Sequence, residues 1–181
     1  MIPATKIKAT PEEYLAMDRD AERKSEYHDG EMFPVVSATK AHSKLCVNLS
    51  GILWQSTQDS GSCEVLSFMR VRVLPTKYVY ADLAMVCGEA QTTDEGQETL
   101  VNPAVIFEIL SPSTADYDQG GKFNLCKKLD SFREYVLLSQ EEVSVEVRRE
   151  KDAGFWTMET FSGLDELLRS NSSRAVLSRL S

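Results

Sequence analysis

The sequence lacks the local signatures that assign many proteins to a functional class. Its four cysteines form no C-x-x-C pair, and no group of cysteine and histidine has the spacing of a zinc site. Neither nucleotide-binding fingerprint, G-x-G-x-x-G or G-x-x-x-x-G-K-[ST], is present. No internal repeat, low-complexity tract or linker divides the chain, and its 181 residues therefore predict a single domain over positions 1–181.

Long apolar runs and an excess of positive charge are also missing. The stretch MIPATKIKAT lacks the apolar segment of a signal peptide, and no run approaches the roughly 20 residues of a membrane span. We therefore expect a cytoplasmic protein without membrane association, whose cysteines are reduced rather than joined in disulfides. The formal net charge of −8 repels nucleic acid at long range, although a local basic groove stays compatible with it.

The first third of the chain has clear helix and turn signals. The stretch TPEEYLAM predicts a helix start in which Thr10 is the cap and Glu13 completes a capping box. The Asp29-Gly30 pair predicts a β-hairpin, and Pro34 places the second arm at an edge or near its own end. Apolar residues recur at helical spacing in AHSKLCVNLSGILWQSTQ, which predicts an amphipathic helix.

The remaining pattern is dominated by strands. The stretch CEVLSFMRVRVLP predicts one half-buried strand with Arg70 and Arg72 on its polar face. The nearly continuous apolar stretches YVYADLAMVCG and AVIFEILS predict central strands covered on both faces. A helix weakened by its glycine pair is expected in DYDQGGKFNLCKKLDSF, followed by strands in EYVLLS, VSVEVRRE and FWTMETF. This succession predicts an α/β (α+β) fold, a mixed β-sheet flanked by helices.

Two acids occupy strands that are otherwise apolar. Asp82 lies in VYADLAMVC and Glu108 in VIFEIL, where a charged carboxylate is costly unless a cation, a metal or hydrogen bonds compensate it. A divalent metal shared by both acids is one explanation, because Mg²⁺ takes one or two carboxylates and keeps waters. Lys122, on the following helix, would then stabilise charge on a phosphate or orient a metal-bound water. The alternative is purely structural: Asp82 accepts backbone hydrogen bonds, and Glu108 pairs with Lys122.

Five stretches, in this order, resemble the Uma2 family of restriction-endonuclease-like proteins in the PD-(D/E)XK nuclease superfamily. They are SEYHDGE, ADLAMV, FEILSPST, GKFNLCKKL and REYVLLS, of which FEILSPST followed by the helical lysine is the most specific. The resemblance implies a restriction-endonuclease-like mixed sheet flanked by helices, with an extra N-terminal helix and hairpin. It also implies a Mg²⁺-dependent nuclease core, with Mn²⁺ as a substitute ion.

The resemblance also implies roles for individual residues. Asp82 and Glu108 match the metal-binding acids, and Lys122 matches a lysine that has moved onto the following helix; the slot two residues after Glu108 holds Leu110. Glu26 matches an early glutamate that adds a metal or water contact. His42 matches a histidine at the start of the second helix and is a secondary candidate, since a cap or packing residue is the commoner role there.

Two other residues are assigned structural positions. Tyr135 matches the family but is expected in the core, and His28 is expected at a surface position of the hairpin. The pair Lys127 and Lys128 is expected to be solvated.

Three functions remain open on the sequence alone. The first is a metal-dependent endonuclease that hydrolyses phosphodiester bonds of nucleic acid, with DNA favoured over RNA. The second is a catalytically inactive module on the same scaffold that binds nucleic acid or protein. The third is a component of a transposon- or defence-linked assembly that needs a partner protein for targeting. A homodimer is expected, through the arm MFPVV or the C-terminal strands.

Overall fold

Two β-sheets are joined by a bent antiparallel ribbon, residues 63–87, and helical segments flank the sheets. The computed structural model describes residues 8–60, 62–93, 96, 98–152 and 154–163. Its helices are α1 (Pro11–Asp20), α2 (Lys40–Ser60) and α3 (Phe123–Cys126), and a π-helical segment (Tyr117–Lys122) runs directly into α3. The strands are β1 (Ser25–His28), β2 (Glu31–Pro34), β3 (Cys63–Ser67), β4 (Arg70–Leu74), β5 (Lys77–Tyr80), β6 (Leu83–Cys87), β7 (Thr99–Leu100), β8 (Val105–Leu110), β9 (Glu134–Ser139), β10 (Ser144–Asp152) and β11 (Phe155–Ser162).

The sheet topology confirms the predicted mixed α+β class. A five-stranded sheet has the order β2-β1-β5-β4-β7, and a six-stranded sheet has the order β11-β10-β9-β8-β6-β3. The β4–β7 and β8–β9 pairs are parallel, whereas the other pairs are antiparallel. The predicted N-terminal hairpin is therefore the outer part of a second sheet rather than an appendage to a single sheet.

The N-terminal elements form as the sequence predicted. The hydroxyl of Thr10 accepts a hydrogen bond from the backbone of Glu13 at 3.3 Å, and the Glu13 carboxylate accepts one from the Thr10 backbone at 2.8 Å, which completes the capping box. In the hairpin, Asp29 and Gly30 both have positive φ, at 50° and 99°, as a two-residue turn of this kind needs. Pro34 ends β2, an edge strand.

The ribbon that joins the two sheets departs from prediction. The stretch predicted as one strand is two: β3 pairs with β6 in the six-stranded sheet, and β4 pairs with β5 in the five-stranded sheet. Phe68 lies between them with φ of 53°, and its backbone donates to the carbonyl of Asp82 at 3.1 Å. The ribbon thus bends where Phe68 faces Asp82, and Asp82 lies at the point where the sheets diverge.

Two predictions about individual side chains are wrong. Arg70, predicted on a polar strand face, is 1% exposed because Asp18 of α1 lies against it. Cys63 and Cys87 form a disulfide rather than reduced thiols, because they occupy directly opposed positions of β3 and β6 with Cα atoms 4.0 Å apart. The other two cysteines, Cys46 and Cys126, are buried free thiols as expected.

Strand β8 is buried on both faces at the centre of the six-stranded sheet. Val105, Phe107 and Ile109 face the apolar cluster that includes Leu53 of α2. Ile106, on the opposite face, packs in the cluster that includes Phe123 of α3. Because side chains alternate along a strand, Glu108 lies on the face covered by the π-helical segment and α3.

The structure leaves two predictions untested. Residues 1–7 and 164–181 lie outside the described residues, so the single domain over positions 1–181 stays a prediction. Among the helices described, none has the length and apolar character required to cross a membrane. The cytoplasmic location stays a prediction.

Candidate active site

A cavity of about 590 Å³ opens between the end of the hairpin and the π-helical segment. Its charged lining side chains are Glu26, Asp82, Glu108, Asp118, His28, His42, Lys77 and Lys122. The most deeply buried of these, Glu108 and Lys122, are 3% and 4% exposed. The cavity therefore brings the four main residues predicted from the sequence to one place.

Lys122 is the centre of the cluster. Its Nζ lies 2.8 Å from Oε1 of Glu108, 3.5 Å from Oε1 of Glu26 and 3.7 Å from Oδ1 of Asp118. It also donates a hydrogen bond to the carbonyl of Tyr80, at the end of β5. A single ammonium group thus faces carboxylates from both sheets and from its own helical segment.

Glu26 is held by hydrogen bonds from three elements. Its Oε1 accepts from the backbone of Tyr80 at 3.0 Å, and its Oε2 accepts from the hydroxyl of Tyr117 at 2.6 Å. Nε2 of His28 lies 3.4 Å from the same oxygen and 3.1 Å from the Tyr117 hydroxyl. These contacts fix the carboxylate on the five-stranded sheet side of the cavity.

Asp82 is held at the bend of the ribbon. Its Oδ2 accepts a hydrogen bond from the backbone of Ile109 at 2.8 Å and lies 3.0 Å from Nε2 of His42. His42 is not the cap of α2, because the Thr39 hydroxyl accepts from the His42 backbone at 3.1 Å. Its ring instead reaches the acid, while its Nδ1 is buried and has no hydrogen bond partner in the part of the chain that the structure describes.

The π-helical segment orients both Tyr117 and Lys122. π-helical turns occur often at functional sites, and here Asp118 and Lys122 lie four residues apart on one side of the turn. A Cβ placed on Gly121 would lie 2.9 Å from the Tyr117 ring, so a glycine there leaves room for the ring to pass toward Glu26. The predicted helix is therefore present, but its glycine pair serves the site as well as weakening the helix.

Burial is the largest influence on the pKa values of the three carboxyl groups around Lys122. Burial raises the pKa of Glu108 well above its usual value, although Lys122 opposes the shift. Burial also raises the pKa of Asp118. For Glu26, burial would raise the pKa, but Lys122 and the hydrogen bonds from His28, Tyr117 and the Tyr80 backbone outweigh it and lower the pKa.

The pKa values of Lys122 and His42 are also raised, but burial opposes these shifts and neighbouring carboxylates cause them. Burial would lower the pKa of Lys122, but the charges of Glu108, Glu26 and Asp118 raise it well above the usual value, so the ammonium stays protonated. The hydrogen bond to Asp82 raises the pKa of His42. Lys122 is thus a charged ammonium group surrounded by the carboxyl groups of three acids, Glu26, Glu108 and Asp118.

The donor set suits a hard divalent cation. Asp82 and Glu108 would supply oxygen ligands, and among the described residues Oε1 of Glu108 is buried without an aligned hydrogen bond despite the nearby ammonium. Among the described residues, no three His, Cys, Asp or Glu side chains converge as a complete ligand cage. Two carboxylates are enough for Mg²⁺, which keeps several waters and shares ligands with substrate phosphates.

Sequence reasoning missed three residues of the cluster. Asp118 stands four positions before Lys122, and that spacing on a helix was a usable signal. Tyr117 and His28 had no comparable signal, because each meets Glu26 only through the tertiary fold. His28, expected at the surface, is half-buried in the cavity wall, whereas Tyr135 is in the core and Lys127 and Lys128 are exposed, as expected.

Comparison with a solved structure shows that the fold of this chain is shared with another protein. A crystal structure from Anabaena variabilis, described as a putative nuclease belonging to DUF820, matches with a TM-score of 0.70 and covers 86% of this chain and 85% of its own. The two are 19% identical, so the likeness is one of fold.

The particular family follows from the sequence comparisons. A family model described as "Uma2: Putative restriction endonuclease" matches residues 11–178. Two relatives from Synechocystis sp. are similar: uncharacterized protein slr1290, 31% identical with coverage of 88% of this chain and 84% of its own, and uncharacterized protein sll1609, 33% identical with coverage of 77% and 80%. The chain belongs to the Uma2 family, and the resemblance inferred from the sequence is confirmed.

Proposed function

We propose that this protein is a Mg²⁺-dependent endonuclease that hydrolyses phosphodiester bonds of nucleic acid, with DNA as the favoured substrate. The observation that carries the proposal is the surplus of buried carboxylates around Lys122 at the floor of a cavity. A surplus of acids attracts a divalent cation, whereas a purely structural pair needs only one carboxylate for each ammonium.

Asp82 and Glu108 would hold the ion, whose contribution when bound is to polarise the scissile phosphate and acidify water. Lys122, charged and fixed by the Tyr80 carbonyl, stabilises the negative charge that develops on the phosphate oxygens. Glu26 positions the attacking water or the ion. In the net reaction, a bond forms from the water oxygen to phosphorus, the bond from phosphorus to one sugar oxygen breaks, and that oxygen takes up a proton.

His42 supports the cluster as a positioning residue. Its Nε2 lies 3.0 Å from the same Asp82 oxygen that accepts from Ile109, so the carboxylate is restrained from two sides. This arrangement leaves the other oxygen of Asp82 for an ion, in keeping with the second contact that ligating carboxylates commonly make. The secondary candidate predicted from the sequence thus has a defined role in the proposal.

A non-catalytic binding module on the same scaffold is the second candidate. It is favoured by the contacts that already satisfy the acids: Lys122 lies against Glu108, and both His42 and the Ile109 backbone contact Asp82. In this case the cluster is structural, and charge replacement at Glu108 changes stability more than any activity.

Titration calorimetry with Mg²⁺ and Mn²⁺ decides between the two candidates when it is combined with a cleavage assay. We expect the native protein to bind the ion and to cleave nucleic acid, and Asp82→Asn and Glu108→Gln to abolish both while the protein stays folded. Glu141→Gln, at an exposed position after β9, is the matched control. Absence of both ion binding and cleavage, even with duplex DNA present, would leave the binding module as the function.

We propose further that the protein acts as a homodimer, because two sites are needed to cut both strands of a duplex. β2 and β11 are edge strands of the two sheets and offer unpaired backbone groups for a second copy. Light scattering after gel filtration tests this, and a species of only about 20 kDa would contradict it. We also propose that a partner protein selects the target, because the elements of the described residues include no separate DNA-reading module.

A further inference from the structure

The walls of the cavity differ sharply from its floor. One wall is the segment 33–38, FPVVSA, which leaves the edge strand β2 and leads to α2; Val36 is 39% exposed. A second wall is the segment 111–114, SPST, which follows β8. Neither wall carries a charged side chain, so the acidic cluster shares its cavity with two uncharged surfaces.

The cations that line the cavity already have carboxylate partners. Lys122 pairs with Glu108, and His42 contacts Asp82. Lys77 pairs with Asp29 outside the cluster. His28, the fourth, contacts Glu26 at 3.4 Å. Proteins that bind a duplex rely on Lys and Arg contacts to many successive phosphates, and this lining offers little of that kind.

The uncharged wall is suited to a base instead. The Phe33 ring lies 5.3 Å from the His28 ring between centroids, at the side of the cavity next to Glu26. Aromatic and apolar surfaces bind unpaired bases by stacking, because every base has a π-face. The volume of about 590 Å³ is within the range of pockets that enclose one small ligand, and it is too small for a duplex.

We propose that the cavity accepts a single unpaired nucleotide, either at a strand end or extruded from a duplex. Its base lies against the wall 33–36, and its phosphate lies at the floor beside Lys122. This inference rests on the proposed nuclease function and names the substrate state that the site takes. Extrusion costs the pairing and stacking of that nucleotide, so unpaired or frayed nucleic acid is preferred over closed duplex.

Fluorescence anisotropy with labelled trinucleotides tests the inference. The probes are thymidine and uridine trinucleotides and a blunt-ended DNA duplex, each with Mg²⁺ in the reaction. We expect the trinucleotides to bind at least tenfold more tightly than the duplex, and Phe33→Ala to weaken their binding roughly tenfold, as loss of one stacking contact does. Phe155→Ala, at a phenylalanine 64% exposed on β11, is the matched control and leaves binding unchanged.

Val36→Ser serves as a second wall variant if Phe33→Ala lowers the temperature of unfolding so far that the protein is not folded in the assay. The inference is overturned if the duplex binds as tightly as the trinucleotides, or if both wall variants bind the trinucleotides as tightly as the native protein does. Cleavage of the duplex that requires Asp82, with no preference for unpaired strands, would overturn it and leave the proposed nuclease function in place. Absence of both binding and cleavage of every probe would overturn both.

Discussion

Two clusters of buried charge in this protein have opposite compositions. Arg70 is 1% exposed and pairs with Asp18, which is fully buried; Thr99 and the Tyr80 hydroxyl add hydrogen bonds. Lys122 is similarly buried but faces Glu26, Glu108 and Asp118. Arg70 also lies 3.6 Å from the carboxylate of Glu98, whose side chain is 43% exposed. The buried part of the first cluster therefore pairs one acid with one cation, whereas the second places three buried acids around one cation at a cavity. Burial of charge is common to both clusters, and the surplus of buried acids distinguishes the second.

Tyr80 connects the two clusters. Its hydroxyl donates to Asp18 at 2.5 Å, while its backbone N–H and carbonyl contact Glu26 and Lys122. The cluster of Arg70 and Asp18 thereby anchors the end of β5, which contacts Glu26 and Lys122 in the other cluster. We expect a substitution at Arg70 or Asp18 to shift the position of Glu26 and Lys122 through Tyr80.

The largest effect is expected from Arg70→Met. This substitution removes the cation that pairs with the buried Asp18. Breaking a buried pair in this way lowers the free energy of unfolding by about 3–5 kcal/mol. Urea unfolding followed by circular dichroism measures the loss. Asp18→Leu combined with Arg70→Met is expected to recover part of it, and a single variant as stable as the native protein would contradict the role of the pair.

The same chemical change is expected to have opposite signs in the two clusters. Asp18→Asn replaces an acceptor of Arg70, Tyr80 and Ser25 with an amide and costs about 2–3 kcal/mol. Glu108→Gln removes a carboxyl whose pKa is raised by burial, so metal-free stability stays level or rises by up to about 1 kcal/mol. Urea unfolding of both variants in the presence of a metal chelator measures the two free energies. Equal losses of stability would contradict the expected difference between the two clusters.

The adjacent glycines Gly120 and Gly121 test how tightly the cavity cluster is packed. Gly121→Ala places a Cβ 2.9 Å from the Tyr117 ring and should displace the hydroxyl from Glu26, at a cost of about 1–2 kcal/mol. Gly120→Ala is the matched control, since a Cβ there meets nothing within 4 Å and helical propensity favours alanine. Thermal unfolding compares the two, and equal midpoints would show that the ring tolerates the added methyl group.

The smallest effect is expected from the exposed pair of Asp29 and Lys77. Hydrogen bonds from Lys77 and Thr76 lower the pKa of Asp29, so the pair contributes stability above the ordinary pKa and loses it as pH falls through the lowered folded pKa. Because the Asp29 side chain is 62% exposed, solvent limits the contribution to about 0.5 kcal/mol or less. Asp29→Asn tolerates the positive φ and should lose this amount at neutral pH but not at acidic pH, as unfolding at both pH values would report.

Local sequence patterns predicted the helices, turns and strands. Features that depend on contacts between residues distant in sequence could not be predicted. The capping box at Thr10 and the Asp29-Gly30 turn depend on neighbours in sequence, so both were predictable. Arg70 was misplaced because its partner Asp18 is 52 positions away, and nothing in an alternating strand shows that an acid will arrive. The bend at Phe68 could not be predicted either, because two short consecutive strands in different sheets have the same sequence pattern as one long strand.

The candidate site was predictable in part. Asp82 and Glu108 stood out as acids in apolar strands, and Glu26 and His42 entered through the family resemblance. The roles of these residues and of Lys122 stay predictions until ion binding and cleavage are measured. His28 and Tyr117 could not have been found, because their contacts with Glu26 come from elements that only the fold brings together.

The position of Lys122 along the chain has a consequence for biosynthesis. During translation, Glu26 and Glu108 leave the ribosome before Lys122, the lysine that both of them face. A nascent chain that ends before residue 122 lacks the ammonium group between these two carboxylates, and burying them together at that stage is costly. The order of synthesis therefore makes closure of the acidic cluster a late step, completed only after the segment that covers β8 has emerged.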